Sequence, residues 1–96
     1  MRAQKRDANE PEVIAALLAI GCSVDQLPGG NGRPDLLVGD PMTHLPILME
    51  VKIPERFKLN PLQKAYHAAC CARIHLVTLP STAVDIVLNY RKEYRK

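Results

Sequence analysis

The chain has no tryptophan and only four aromatic residues in 96, Phe57, Tyr66, Tyr90 and Tyr94. That scarcity argues against a surface built to stack the bases of single strands. Cysteine is almost as scarce. Cys22, Cys70 and Cys71 are an odd set with two members adjacent, which makes neither a disulfide framework nor a zinc-ligand spacing. Buried free thiols in a reducing cytoplasm are the expectation. No apolar run approaches the roughly eighteen residues of a membrane span. The opening MRAQKRDANE contains no apolar segment of the kind a secretory signal needs, so a cytoplasmic location is expected. Repeats and low-complexity segments are absent as well. What remains, 47% hydrophobic and 24% charged, is the composition of an ordinary globular domain, and 96 residues suffice for one.

Charge is unevenly spread. The net charge is +3, and the tail Arg91–Lys96, with four basic residues and one acid, carries +3 by itself. Such a tail suits either a solvated helix end favoured by the dipole or a contact for phosphates. Before it, residues 1–8 read as a polar arm.

Hydrophobic spacing predicts the order α-β-β-β-α-β-α. A helix is expected over Glu10–Ile20, with Pro11 in its first turn, Gly21 after its end and an apolar stripe of Val13, Ile14, Leu17 and Leu18. Cys22–Leu27 reads as a strand, and Pro28–Pro34 as a turn-rich loop. Asp35–Val38 and Leu45–Ile53 read as strands joined by the return Gly39–His44. After the basic loop Pro54–Leu59, a helix runs from Asn60-Pro61 to about Ala72 with Leu62, Tyr66, Ala69 and Cys70 inward. Ile74–Leu79 has the composition of a strand covered on both faces. Ser81–Tyr94 makes a last helix, with Val84, Val87 and Leu88 on one side. Short returns followed by a helical crossover imply an α/β domain, a mixed four-stranded sheet flanked by helices.

Within that frame, acids fall in unusual places. Alternation along the strand puts Glu50 and Lys52 on one face, roughly 7 Å apart. Asp35, just after Pro34, lies at the start of the neighbouring strand, so pairing of the two strands brings Asp35 and Glu50 together. Convergent carboxylates raise each other's pKa, and a hard divalent cation relieves the repulsion. Mg²⁺ or Mn²⁺ held by Asp35, Glu50 and the Val51 carbonyl, with Lys52 alongside as base or charge stabiliser, is the arrangement of metal-assisted phosphodiester hydrolysis.

The pattern Pro34-Asp35 … Glu50-Val51-Lys52 resembles the PD-(D/E)XK nuclease signature. More of the chain joins that resemblance. RDANEPEVIAALLAIGCSV (Arg6–Val24), PDLLVG (Pro34–Gly39), LMEVK (Leu48–Lys52) and KLNPLQKAYH (Lys58–His67) are similar to the first helix and strand, the core strands and the following helix of the virus-type replication-repair nuclease (VRR-NUC) branch. The likeness is to its short stand-alone phage and bacterial forms, which implies the cytoplasm of a bacterium or a phage-infected host cell. It implies a restriction-endonuclease-like core and a divalent-metal-dependent DNA endonuclease. Stand-alone members tend to be homodimers cutting branched DNA such as four-way junctions, whereas the fused module acts on flaps. By position, Glu10 matches the acid of the first helix, Asp35 and Glu50 the metal carboxylates, Lys52 the catalytic lysine and Gln63 the motif glutamine. The loop Pro54–Leu59 is shorter than in many relatives.

Blander roles compete for several of these residues. Glu10 suits a helix N-terminus, and Asn9 with Glu12 spells a capping box. Gln63 completes a second box with Asn60, so capping and site roles both stay open. His67 shares a helical face with Gln63. Arg33, Arg56, Lys58 and Lys64 surround the proposed site in sequence and suit DNA phosphate contacts, or are ordinary surface charge. A non-catalytic DNA-binding module, and a flap, nick or restriction-like nuclease, are the rival readings.

Overall fold

Three β-strands follow the first helix, as the spacing predicts. The computed structural model describes residues 7–94; most of the polar arm (residues 1–6) and Arg95 and Lys96 of the basic tail lie outside the described residues. Helix α1 (Glu10–Ala19) leads to strands β1 (Ser23–Gln26), β2 (Leu36–Gly39) and β3 (Pro46–Val51). A single 3₁₀ turn at Pro54–Arg56 precedes helix α2 (Pro61–Ala69), strand β4 (Ile74–Val77) and helix α3 (Pro80–Tyr94). The sheet runs β1-β2-β3-β4, antiparallel across the first three strands and parallel between β3 and β4.

Strand alternation sorts the sheet into two unlike faces. On one, Leu36, Val38, Ile47, Met49, Val51 and Val77 are buried against Val13 and Leu17 of α1 and Ala83 and Val87 of α3. Each large apolar side chain so buried contributes about 1.5–3 kcal/mol, so this face carries the stability. Leu18 and Leu88, expected on the inward stripes, are instead 55% and 45% exposed, because Glu10, Val13 and Leu17 form the buried stripe of α1 and Ala83 and Val87 that of α3.

The other face is thinly covered. Helix α2 buries no residue, and Leu62, expected inward, is 61% exposed. Its inward-leaning side chains are Gln63, Tyr66, His67 and Cys70, at i, i+3, i+4 and i+7; Ala69, also expected inward, is exposed. The helix is rotated from the apolar expectation because the strand patch beneath it holds Glu50, and polar side chains satisfy that patch. Strand β4 is consequently half-covered, with Leu76 39% exposed, not enclosed on both faces. The thiols also divide: Cys22 is buried, Cys70 half-buried and Cys71 exposed.

One buried ion pair ties the far end of the sheet. Asp40, fully buried, takes the Arg91 guanidinium at 3.0 Å, the Thr43 hydroxyl at 2.9 Å and the Met42 amide at 3.2 Å. Burial alone would push its carboxyl up, but these donors outweigh that and hold it below the ordinary carboxylate value. Arg91 also donates to the Ile20 carbonyl at 2.9 Å. The first residue of the basic tail therefore clamps α3 to the β2–β3 turn and to the end of α1.

Candidate active site

Asp35 sits one residue before β2, and ladder bonds extend to it from both sides. Its N–H donates to the Met49 carbonyl at 3.1 Å, and its own carbonyl accepts from Leu27 at 2.8 Å. The register that pairs Leu36 with Met49 sets Asp35 beside Glu50 on the thinly covered face. The Asp35 carboxylate turns along β3, where Oδ2 accepts the Val51 N–H at 2.7 Å. In a strand the N–H and C=O of one residue point to the same side, so the Val51 carbonyl also faces Asp35's strand. Pro34-Asp35 and Glu50-Val51 thus meet as their spacing predicts.

Glu50 is only 2% exposed. Burial, then a hydrogen bond with Asp35 and that group's charge, push its carboxyl up to about 9. Asp7 pushes the same way, and the Lys52 ammonium partly offsets it. At neutral pH Glu50 therefore keeps its proton. Oε2 of Glu50 accepts from the Gln63 amide at 3.2 Å, while Oε1 is buried with no hydrogen-bond partner.

Lys52 leaves β3 where the backbone of two parallel strands is pinned. Its N–H donates to Val77 at 2.8 Å, and the Asn9 amide donates both to the Lys52 carbonyl at 3.0 Å and to the Thr78 carbonyl at 2.7 Å. Asn9 makes no side-chain cap on α1, so the expected box with Glu12 does not form. Two strand-end carbonyls hold the amide instead.

Gln63 does two things at once. Its side-chain carbonyl accepts the Asn60 N–H at 2.9 Å while Asn60 Oδ1 accepts the Gln63 N–H at 2.8 Å, completing the capping box. The remaining NH₂ group reaches Glu50. One turn on, His67 Nε2 lies 3.9 Å from Glu50 Oε1. Burial and the Lys52 charge hold this imidazole below the ordinary histidine value, so it is mostly neutral at pH 7.

Glu10 is buried, and its Oε2 accepts from the Gln26 amide at 2.7 Å. It belongs to the helix on the opposite sheet face, yet Asn9, one residue before it, touches the ends of β3 and β4. Glu10 thus approaches the same end of the sheet from the other side. Arg33, Arg56, Lys58 and Lys64 are all exposed, on the loops and helix flanking this end. Asp7, Asn9 and Gln26 also reach this end of the sheet, and the sequence gives no sign of them as site residues. Nothing local marks them, since each acts through strands distant in the chain.

A buried carboxyl that keeps its proton beside the Asp35 carboxyl, with one oxygen left without a partner, is a donor set that suits a divalent cation: the cation replaces the proton. Among the described residues no three His, Cys, Asp or Glu side chains form a ready-made metal cage. A bound ion would complete its shell with water or phosphate oxygens, as Mg²⁺ commonly does.

No family model matches the chain, and no curated protein does. A solved structure described as a VRR_NUC domain is similar to it at 27% identity, with a TM-score of 0.69. The likeness covers 84% of this chain and 91% of that one. So extensive a match takes in the α/β order and mixed sheet described above.

Proposed function

We propose that this chain, similar in fold to a VRR_NUC domain, hydrolyses DNA phosphodiester bonds with Mg²⁺ or Mn²⁺, cutting branched DNA in the manner of a Holliday junction resolvase. The pairing of Asp35 with Glu50 at the open end of the sheet, two residues from Lys52, supports this reading above all. Asp35, Glu50 and the Val51 carbonyl would hold the ion, with Glu10 as a further acid from the α1 side; when bound, it activates the phosphate and the attacking water. Lys52 places a positive charge where negative charge develops on the phosphate, or takes a proton from the water. Gln63 fixes the rotamer of Glu50. Arg33, Arg56, Lys58 and Lys64 grip the DNA backbone without reading bases. A two-fold junction calls for two such centres, which a homodimer provides.

The test is cleavage of labelled four-way junction, flap and plain duplex in Mg²⁺, Mn²⁺ or EDTA, beside Asp35→Asn and Lys52→Ala. Paired cuts at the junction are expected, abolished by EDTA and reduced by about 100-fold or more in each variant, with DNA binding retained. Cutting confined to flaps or duplex would keep the chemistry and replace the substrate. Full activity in either variant would overturn the assignment, and salt-dependent binding without cleavage would favour the non-catalytic module.

A further inference from the structure

The contact between α2 and β3 contains two unmatched atoms facing each other. Glu50 Oε1 and His67 Nε2 are both buried, neither has a hydrogen-bond partner, and they stand 3.9 Å apart. That separation is too long for a direct hydrogen bond and fits one intervening atom. Leaving two buried polar atoms unmatched costs roughly 1–3 kcal/mol each, so the site is built for something to lie between them.

We infer that His67 Nε2 is a nitrogen ligand, paired with Glu50 Oε1, for the divalent ion of this site, and that it biases the site towards Mn²⁺ over Mg²⁺. This rests on the reading of Asp35 and Glu50 as a metal centre. Metal–ligand bonds of about 2.1 Å put neighbouring ligand atoms of an octahedron about 3 Å apart. From 3.9 Å, the pair reaches that spacing with a side-chain movement of about 1 Å. The capping box at Asn60–Gln63 fixes the start of α2, so His67, four residues on, is presented to Glu50 on the same helical face as Gln63. An imidazole nitrogen is a good donor to first-row transition ions and a poor one to Mg²⁺, which takes oxygen. One nitrogen in an otherwise oxygen shell therefore discriminates between two ions that carboxylates alone would bind similarly.

Pulsed electron paramagnetic resonance of the full chain loaded with Mn²⁺ alone reads this directly, because a bound imidazole imprints ¹⁴N modulation on the manganese echo. The expected result is strong ¹⁴N modulation in the native chain. In His67→Gln the modulation disappears and Mn²⁺ affinity by calorimetry falls about tenfold, while Mg²⁺ affinity changes less than twofold. His67→Asp, which offers oxygen in place of nitrogen, recovers Mn²⁺ binding without the modulation and shows that the fold is kept. Mn²⁺ bound without ¹⁴N modulation in the native chain, yet lost in Asp35→Asn, would overturn the role of His67 and leave the metal centre standing. No Mn²⁺ binding, or binding indifferent to Asp35→Asn, would overturn both.

Discussion

Glu50 keeps its proton far above the pH at which a free carboxyl loses one. Its ordinary value is 4.5, and burial with the Asp35 contact raises it to about 9 in the fold. The folded chain therefore binds more protons than the unfolded chain between those limits, and stability conferred by this group is lost as pH rises. His67, pushed down by burial and Lys52, and His75, pushed down by burial and Arg73, act in the opposite sense, but only below the histidine value of 6.5. The fall is thus to be read from about pH 7 to pH 9. Thermal melts in EDTA are expected to show a midpoint declining across that window, with a shallower decline in Asp35→Asn; a rising midpoint would contradict the pairing. The same residues show how far the site could be read from sequence. Asp35, Glu50 and Lys52 declare themselves because an acid or lysine inside an apolar strand needs a reason. Asp7 and Asn9 do not, since polar residues before a helix are commonplace and their partners lie on strands far along the chain.

Among the elements, α2 departs most from its sequence expectation, and the reason lies in the sheet. Strand periods of two and the turn residues between them place β1, β2 and β3 well. The inward face of a helix, however, is legible only when what it covers is apolar. Here Glu50 lies under the helix, so Gln63 and His67 turn inward and Leu62 outward. The start of the helix lies close against Gly32, whose φ is +78° and where an added Cβ would clash with the Leu62 carbonyl. Gly32→Ala must displace the first turn of α2 and with it Gln63 and His67. The expected outcome is a roughly 100-fold loss of cleavage with a stability loss greater than the ~1–2 kcal/mol that the left-handed backbone alone costs, because the clash is with backbone, checked by denaturant titration beside the nuclease assay. Undiminished cleavage would mean that α2 does not position the site.

At the scale of the molecule, four of the exposed cations among the described residues, Arg33, Arg56, Lys58 and Lys64, flank the end where the acids lie. No helix among the described residues is long and apolar enough to cross a membrane. If Arg33, Arg56, Lys58 and Lys64 each meet one phosphate, log Kd against log salt will have a slope of magnitude about 4, falling by about 1 with each cation replaced by alanine. Slopes unchanged by all four replacements would relocate the DNA surface. That surface adjoins the helix that buries no residue. Apolar packing holds α1, α3 and the sheet together, whereas α2 rests on half-buried side chains, with the close approach to Gly32 and the Gln63–Glu50 hydrogen bond at its start. Its amides can therefore open to solvent at a free energy well below that of global unfolding. Hydrogen exchange will be fast along α2 in the empty chain and will slow when the carboxyls are loaded, so that part of the binding energy is spent on ordering the helix. Affinity for ion and DNA is then adjustable through the outer residues of α2, while the fold itself is left alone.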